Sequence, residues 1–125
     1  MMRYLMVGVG GFLGAVARFW LGGEISQRMG TLFPYGTFVI NVSGSYLLGL
    51  ILTVLIENAH WNASWRYLIP IGFIGAYTTF STFEWETFQN IQSGQFLIGG
   101  LNVALSVFVG FLALWLGVLT GRILA

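Results

Sequence analysis

The chain has no cysteine, no lysine and a single histidine among its 125 residues. Without cysteine there is no disulfide, no iron–sulfur cluster and no thiolate zinc site. His60 lies beside Asn58, Trp61 and Asn62, which reads as an interfacial loop. One imidazole without carboxylate company makes no metal site, so its role there is structural. Charge is scarce as well. Arginines and glutamates together make up 7% of the chain, with a net charge of +1, against roughly 25% charged residues in a soluble domain. Such a balance offers nucleic acid no electrostatic footprint. The sequence also lacks a Ser/His/Asp set, paired acids at one depth and a phosphate loop. "GVGGFLGA" is glycine-rich, but no strand precedes it, so it is no nucleotide motif. Nothing here points to an enzyme.

What the chain does have is apolar surface. It is 57% hydrophobic, with a mean hydropathy of +0.84. A soluble fold of this size could not hide so much inside one core. The expected class is an all-α membrane protein, a single domain over 1–125. Four hydrophobic runs, approximately 4–22, 33–56, 66–91 and 96–121, each approach or exceed the ~20 residues that cross a bilayer. The opening "MMRYLMVGVGGFLGAVARFWLGG" resembles a signal peptide, but Arg18 interrupts its end and three further spans follow, so it reads as a retained first helix. Polar residues collect in the connections: Glu24, Gln27 and Arg28 in the first, Glu57–Arg66 as the second, and a tight turn over Gln89–Gln95. Aromatics such as Trp20, Tyr35, Trp61, Trp65 and Trp115 crowd the span edges, as an interfacial belt requires.

Four spans put both termini on one side, with Arg3, Arg66 and Arg122. The other side carries Arg28 and, on this reading, Arg18. That bias sets no firm orientation. Either another feature sets the topology, or the chain inserts both ways and pairs head to tail. Gly10-x-x-x-Gly14 and Gly117-x-x-x-Gly121 offer close backbone approach between helices. Four short helices enclose little, so a homo-oligomer is expected.

The third run contains "GFIGAYTTFSTFEWE", Gly72 to Glu86. Glycines are poor helix formers, threonines are modest ones, and Pro70 lies one turn earlier. The expected outcome is a helix broken near 75–79, close to the midplane. Freed backbone groups there must be buried in protein or line a wet cavity. Such breaks recur as ion sites, with carbonyls for a cation and N–H groups for an anion. The alternative is a continuous helix whose hydroxyls bond back to the i−4 carbonyls. Inside the spans the polar residues are few: Asn41 and Ser43, Thr78, Thr79, Ser81 and Thr82, Asn102 and Ser106. Each alone can serve interhelical hydrogen bonding. Together they suggest a narrow track of neutral donors. Phe80 and Phe83, three apart, start on one face, and a ring edge carries partial positive charge. Weak, multiple sites of this kind suit the passage of a small anion. Glu84 and Glu86 follow the break and point to different faces, each a candidate vestibule group.

On these residues the chain resembles the Fluc (CrcB) family of fluoride channels over essentially its whole length. The signatures are "GGFLGAVAR", "GTFVINVSG" and, most specific, "GFIGAYTTFSTFEWE". The resemblance implies an antiparallel, dual-topology homodimer in the bacterial inner membrane, in contact with membrane lipid. It implies two fluoride pores per dimer, each lined by both subunits, and passive export that gives fluoride resistance. Phe80, Phe83, Asn41 and Ser106 match the family's pore residues, and Ser81 and Thr82 its polar track. Arg18 matches a first-helix arginine, and Glu86 an acid after the phenylalanine pair. The resemblance also implies a structural sodium ion at the dimer centre, on backbone carbonyls that match Gly75 and Thr78. One departure is Asn102, where many members carry tyrosine one turn before the serine. The alternatives are a small proton-coupled multidrug exporter, which would want a glutamate embedded in its first helix, and an assembly subunit with no flux of its own.

Overall fold

A computed structural model describes residues 1–58 and 60–125, and every regular element among them is helical. Helix α1 spans Met2–Met29, α2 spans Tyr35–Glu57, and α5 spans Phe96–Leu124. These three are long and apolar enough to cross a membrane. Between them, α3 starts as a wide-turn helix over Tyr67–Ile74 and closes with one ordinary turn, Gly75–Tyr77; α4 spans Phe80–Gln92. Ala59, in the connection after α2, lies outside the described residues.

The first helix is longer than its apolar run. The stretch expected as a connection, with Glu24, Gln27 and Arg28, continues as helix to Met29. Two contacts explain this. Glu24 and Arg28 pair across one turn at 3.5 Å, an i,i+4 pair that supports helix. The Gly22 carbonyl and the Ser26 hydroxyl also form the seat for Gly36, where a Cβ would collide with both. The helix stops at Gly30, whose φ of 86° ends the right-handed run. The turn expected over Gln89–Gln95 forms at its far end. Gly94 takes φ 82°, Gln95 N–H returns to the Asn90 carbonyl at 2.8 Å, and Gly94 N–H to that of Ile91 at 3.0 Å. Those two bonds satisfy the last carbonyls of α4 before α5 begins.

The burial pattern is inverted relative to a soluble protein. Among large apolar side chains only Ile40, Ile74, Tyr77 and Phe83 are buried, while Thr53, Thr79, Thr87 and Asn102 are buried polar residues. Phenylalanines, leucines and tryptophans cover the outside. Helices in lipid gain little from hiding leucine, so they associate through close packing and internal hydrogen bonds. Glycine supplies the packing. A Cβ on Gly10 would strike the Leu68 carbonyl and one on Gly14 the Phe73 carbonyl, which fixes α1 against α3. A Cβ on Gly49 would strike the Leu114 carbonyl and one on Gly117 the Tyr46 carbonyl, which fixes α2 and α5 side by side in parallel. Both glycine pairs read from the sequence as contact surfaces therefore serve as such.

Overpacking a close-packed seam costs about 1–3 kcal/mol. Gly117→Val should destabilise by that amount, whereas Gly23→Ala, with open space around it, should change stability by less than ~1 kcal/mol. Thermal unfolding of the detergent-solubilised protein measures both. Equal effects would mean that the α2–α5 seam is not as tight as described.

Candidate functional site

The site forms where α3 gives way to α4. Pro70 has no N–H and crowds the carbonyl one turn back, so an ordinary α turn cannot run through it. The chain widens instead, and Gly75 N–H is shared between the carbonyls of Pro70 and Gly72. One α turn follows. Thr78 (φ −78°, ψ 155°) and Thr79 (φ −147°, ψ 116°) are then extended, and helix resumes at Phe80. The expected break at 75–79 is thus confined to two residues, with Gly75–Tyr77 helical. The back-bonding hydroxyl also occurs: Thr78 Oγ1 donates to the Ile74 carbonyl at 3.1 Å. It does not hold the helix together.

Asn41 of α2 replaces the missing backbone partners. Thr79 N–H donates to Asn41 Oδ1 at 2.8 Å, and Asn41 Nδ2 donates to the Thr79 carbonyl at 2.9 Å. The Thr79 N–H is the donor that would close an α turn on the Gly75 carbonyl, so that carbonyl loses its helical partner. Thr79 Oγ1 in turn caps α4 by accepting from Thr82 N–H at 3.3 Å. The Thr78 carbonyl loses its α partner in the same way, and accepts from Arg18 Nη1 at 3.3 Å. Gly44 makes the approach possible, since a Cβ there would strike the Thr78 methyl. Tyr77 is anchored through its hydroxyl to Ser43 Oγ at 2.9 Å.

Two cavities meet at Thr79. The first, about 330 Å³, is lined by Asn41, Gly75, Thr78, Thr79, Phe80, Phe83 and Ser106, among others, and by no charged residue. The Phe80 and Phe83 rings lie 5.8 Å apart with their planes at 49°. Phe83 is buried, whereas Phe80 is 73% exposed. The second cavity, about 440 Å³, carries the charged side chains Arg18 and Glu86 and the hydroxyls of Thr37, Thr79 and Thr82, beside apolar Ala15, Phe19 and Ile40. Thr37 Oγ1 donates to Glu86 Oε1 at 2.7 Å, while the buried Oε2 has no protein partner. Glu86 also borders a wider opening of about 700 Å³ toward the α4–α5 turn.

The sequence-derived residues therefore divide. Asn41, Phe80, Phe83, Ser106, Gly75 and Thr78 share the uncharged cavity, and Arg18, Thr82 and Glu86 the charged one. Ser81 is exposed on α4 and lines neither. Asn102 also lines neither. It is buried behind Ser106, accepting from Ser106 Oγ at 3.3 Å and donating to Thr87 Oγ1 at 2.9 Å. Thr87 Oγ1 donates onward to the Phe83 carbonyl at 2.8 Å. Thr79, expected as one of the polar residues of the track, borders both cavities. Its signal was present, a threonine placed to cap a restarting helix. Thr37 gives no such signal, because its partner is 49 residues away.

Among the described residues no group of three His, Asp or Glu side chains converges. A cation at the break would therefore rest on backbone oxygens, and Gly75 and Thr78 offer carbonyls of the hard-oxygen type such ions take. Arg18 uses one lone pair of the Thr78 oxygen and leaves the other. Asn41→Ala would strand the buried Thr79 N–H, at about 1–3 kcal/mol for an unsatisfied buried group. A large loss of thermal stability is expected, and an unchanged unfolding midpoint would show that the amide pair does not hold the break.

Residues 5–118 match the family model described as CrcB-like protein, Camphor Resistance (CrcB). Over 121 residues the chain is 54% identical to a protein of Acidobacterium capsulatum named fluoride-specific ion channel FluC, with 97% of each chain covered. It is 46% identical to a protein of the same name from Solibacter usitatus, covering 97% of this chain and 99% of that one. A third of that name, from Hydrogenovibrio crunogenus, is 40% identical over 97% of this chain and 92% of its own. With the family's span and these identities across nearly its full length, the chain belongs to the CrcB family.

Proposed function

We propose that this chain conducts fluoride passively across the bacterial inner membrane, through pores formed by an antiparallel homodimer, and so confers resistance to fluoride. The observation that carries the reading is the uncharged cavity at the break. An arginine cluster would hold a small anion tightly, whereas hydroxyls, amides and ring edges hold it weakly enough for release. In the resting geometry the hydroxyl protons are turned inward, Ser45 Oγ to the Asn41 carbonyl at 2.8 Å and Ser106 Oγ to Asn102 Oδ1 at 3.3 Å. Side-chain rotation on the ps–ns scale brings them to a passing ion. The charged cavity with Arg18 and Glu86 is the vestibule, and Thr79 stands between the two. The names of the relatives support fluoride as the ion. Export follows from chemistry: fluoride enters as the neutral acid, is trapped as the anion, and leaves down its electrochemical gradient.

In this reading α3 and α4 together form one broken crossing, the third of four. Gly75, Phe80, Ser81 and Thr82 are exposed in the single chain. Polar backbone and hydroxyls at that depth do not face lipid, so a second copy covers them. Antiparallel pairing brings two breaks together, and the Gly75 and Thr78 carbonyls of both subunits would hold a sodium ion. Bound there, sodium would supply positive charge that ties the two breaks together. The proton-coupled exporter gains nothing from the longer first helix. Its added acid, Glu24, lies in the last turns, partly exposed and paired with Arg28.

Fluoride efflux from liposomes that contain only this protein, with chloride in parallel and voltage clamped by an ionophore, tests the function. Fast fluoride loss without chloride loss is expected. Phe80→Ile and Phe83→Ile should each slow it at least about tenfold, a factor equivalent to ~1.4 kcal/mol, with the dimer intact. Unchanged rates in both would end the ring-edge mechanism. The absence of cysteine allows a separate test of topology. In closed vesicles, an impermeant maleimide should label roughly half of a Ser93→Cys protein from outside. Complete or absent labelling would exclude dual insertion.

A further inference from the structure

We propose that the cleft between the end of α2 and the start of α3 binds the headgroup of an anionic phospholipid. This inference rests on the membrane-spanning helices and is independent of which ion the pore conducts. The cleft encloses about 240 Å³ at the boundary where the apolar part of α2 ends. One wall is hydrocarbon, formed by Leu52, Leu55 and Ile56. The other walls are the polar side chains Asn58, Asn62 and Arg66, with Trp61 beside them.

The side-chain groups left without a partner at the cleft are donors. Asn58 Oδ1 accepts from His60 N–H at 3.2 Å, and Asn62 Oδ1 accepts from Ser64 N–H at 2.9 Å. Backbone donors cannot reverse roles, so these two bonds fix both amide orientations. The Nδ2 groups are left as donors without a partner among the described residues. Arg66 adds a guanidinium whose fork matches two phosphate oxygens. The nearest acid along the chain, Glu57, is turned to Arg122 at 3.6 Å, and Arg66 has no ion pair among the described residues. No acidic side chain lines the cleft.

Three unpaired donor side chains beside a hydrocarbon wall fit a phosphodiester on an acyl chain. The acyl chain lies along Leu52, Leu55 and Ile56, and the phosphate meets Arg66 and the two amides. The absence of an acid selects among lipids. A choline or ethanolamine headgroup brings a cation that finds no counter-charge here, whereas a glycerol headgroup brings none. Trp61 and Trp65, their rings edge to face at 6.3 Å, sit at the height where indoles mark the water boundary.

Titration of the purified, detergent-solubilised protein with phosphatidylglycerol, and separately with phosphatidylcholine of the same acyl chains, tests this. Native mass spectrometry reads the fraction of protein that carries lipid. Phosphatidylglycerol should bind more tightly, and Arg66→Gln should weaken it at least about fivefold. Asn62→Asp is a second variant that keeps the acceptor for Ser64 N–H and hence the loop. It places an acid in the cleft, and the preference for phosphatidylglycerol should disappear. Equal binding of the two lipids, or a preference unmoved by Asn62→Asp, would overturn the proposal. Displacement of phosphatidylglycerol by inorganic phosphate at the same concentration would do so too, because the cleft would then be a site for free anions rather than for lipid.

Discussion

The two hydrogen bonds between the Asn41 amide and the Thr79 backbone hold the rest of the site in place. In water a helix can end anywhere, because solvent takes the orphaned groups. In a bilayer each such group costs several kcal/mol if it is left alone. A break inside a membrane therefore exists only if a side chain takes over the donor that the helix gives up. Asn41 does this through Oδ1, while its Nδ2 adds a second bond to the Thr79 carbonyl, on a helix packed closely against α5. Because Thr79 is engaged there, the Gly75 carbonyl has no turn to close, α4 restarts with its own cap, and Thr79 comes to stand between the two cavities.

That amide reaches Thr79 only because the helices run unusually close. Gly44 leaves room for the Thr78 methyl, and Gly10 and Gly14 bring α1 onto α3, near enough for Arg18 to touch the Thr78 carbonyl. The charge distribution follows. Arginine and glutamate are kept on the α1 side of Thr79, and the far side has only neutral groups. A small anion would move from a region that attracts it to one that does not retain it, as conduction requires.

Much of this arrangement was legible in the sequence because it rests on local rules. Glycine spacing and the Pro70-to-Thr79 weakness each act within a turn or two, and the structure follows them. The errors have equally physical causes. The first connection was read as loop because Glu24, Gln27 and Arg28 are polar. Polarity does not end a helix, and an i,i+4 ion pair together with the seat for Gly36 carries it on to Gly30. Asn102 was read as part of the track together with Ser106, four residues on and so on the same helical face. The face was correct but the depth was not, since the amide points back to Thr87. The pairing of Thr37 with Glu86 lies beyond any local rule, because only the packing of α2 against α4 brings them together.

The wide-turn segment 67–74 has a consequence of another kind. In an α-helix each residue turns the chain by about 100°, so a helix with one residue more per turn shifts the phase of everything after it. Tyr77 meets Ser43, and Thr78 meets the hollow at Gly44, only because that shift comes first. Pro70, which forces the widening, and Gly72, which has no room for a Cβ, are fixed by chemistry, and the number of residues in 67–74 is fixed as well. Losing one of them would rotate Tyr77 and Thr78 out of α2 with Asn41, Phe80 and Phe83 unaltered. The length of an apparently featureless apolar run is thus as much a part of the site as the identity of Asn41.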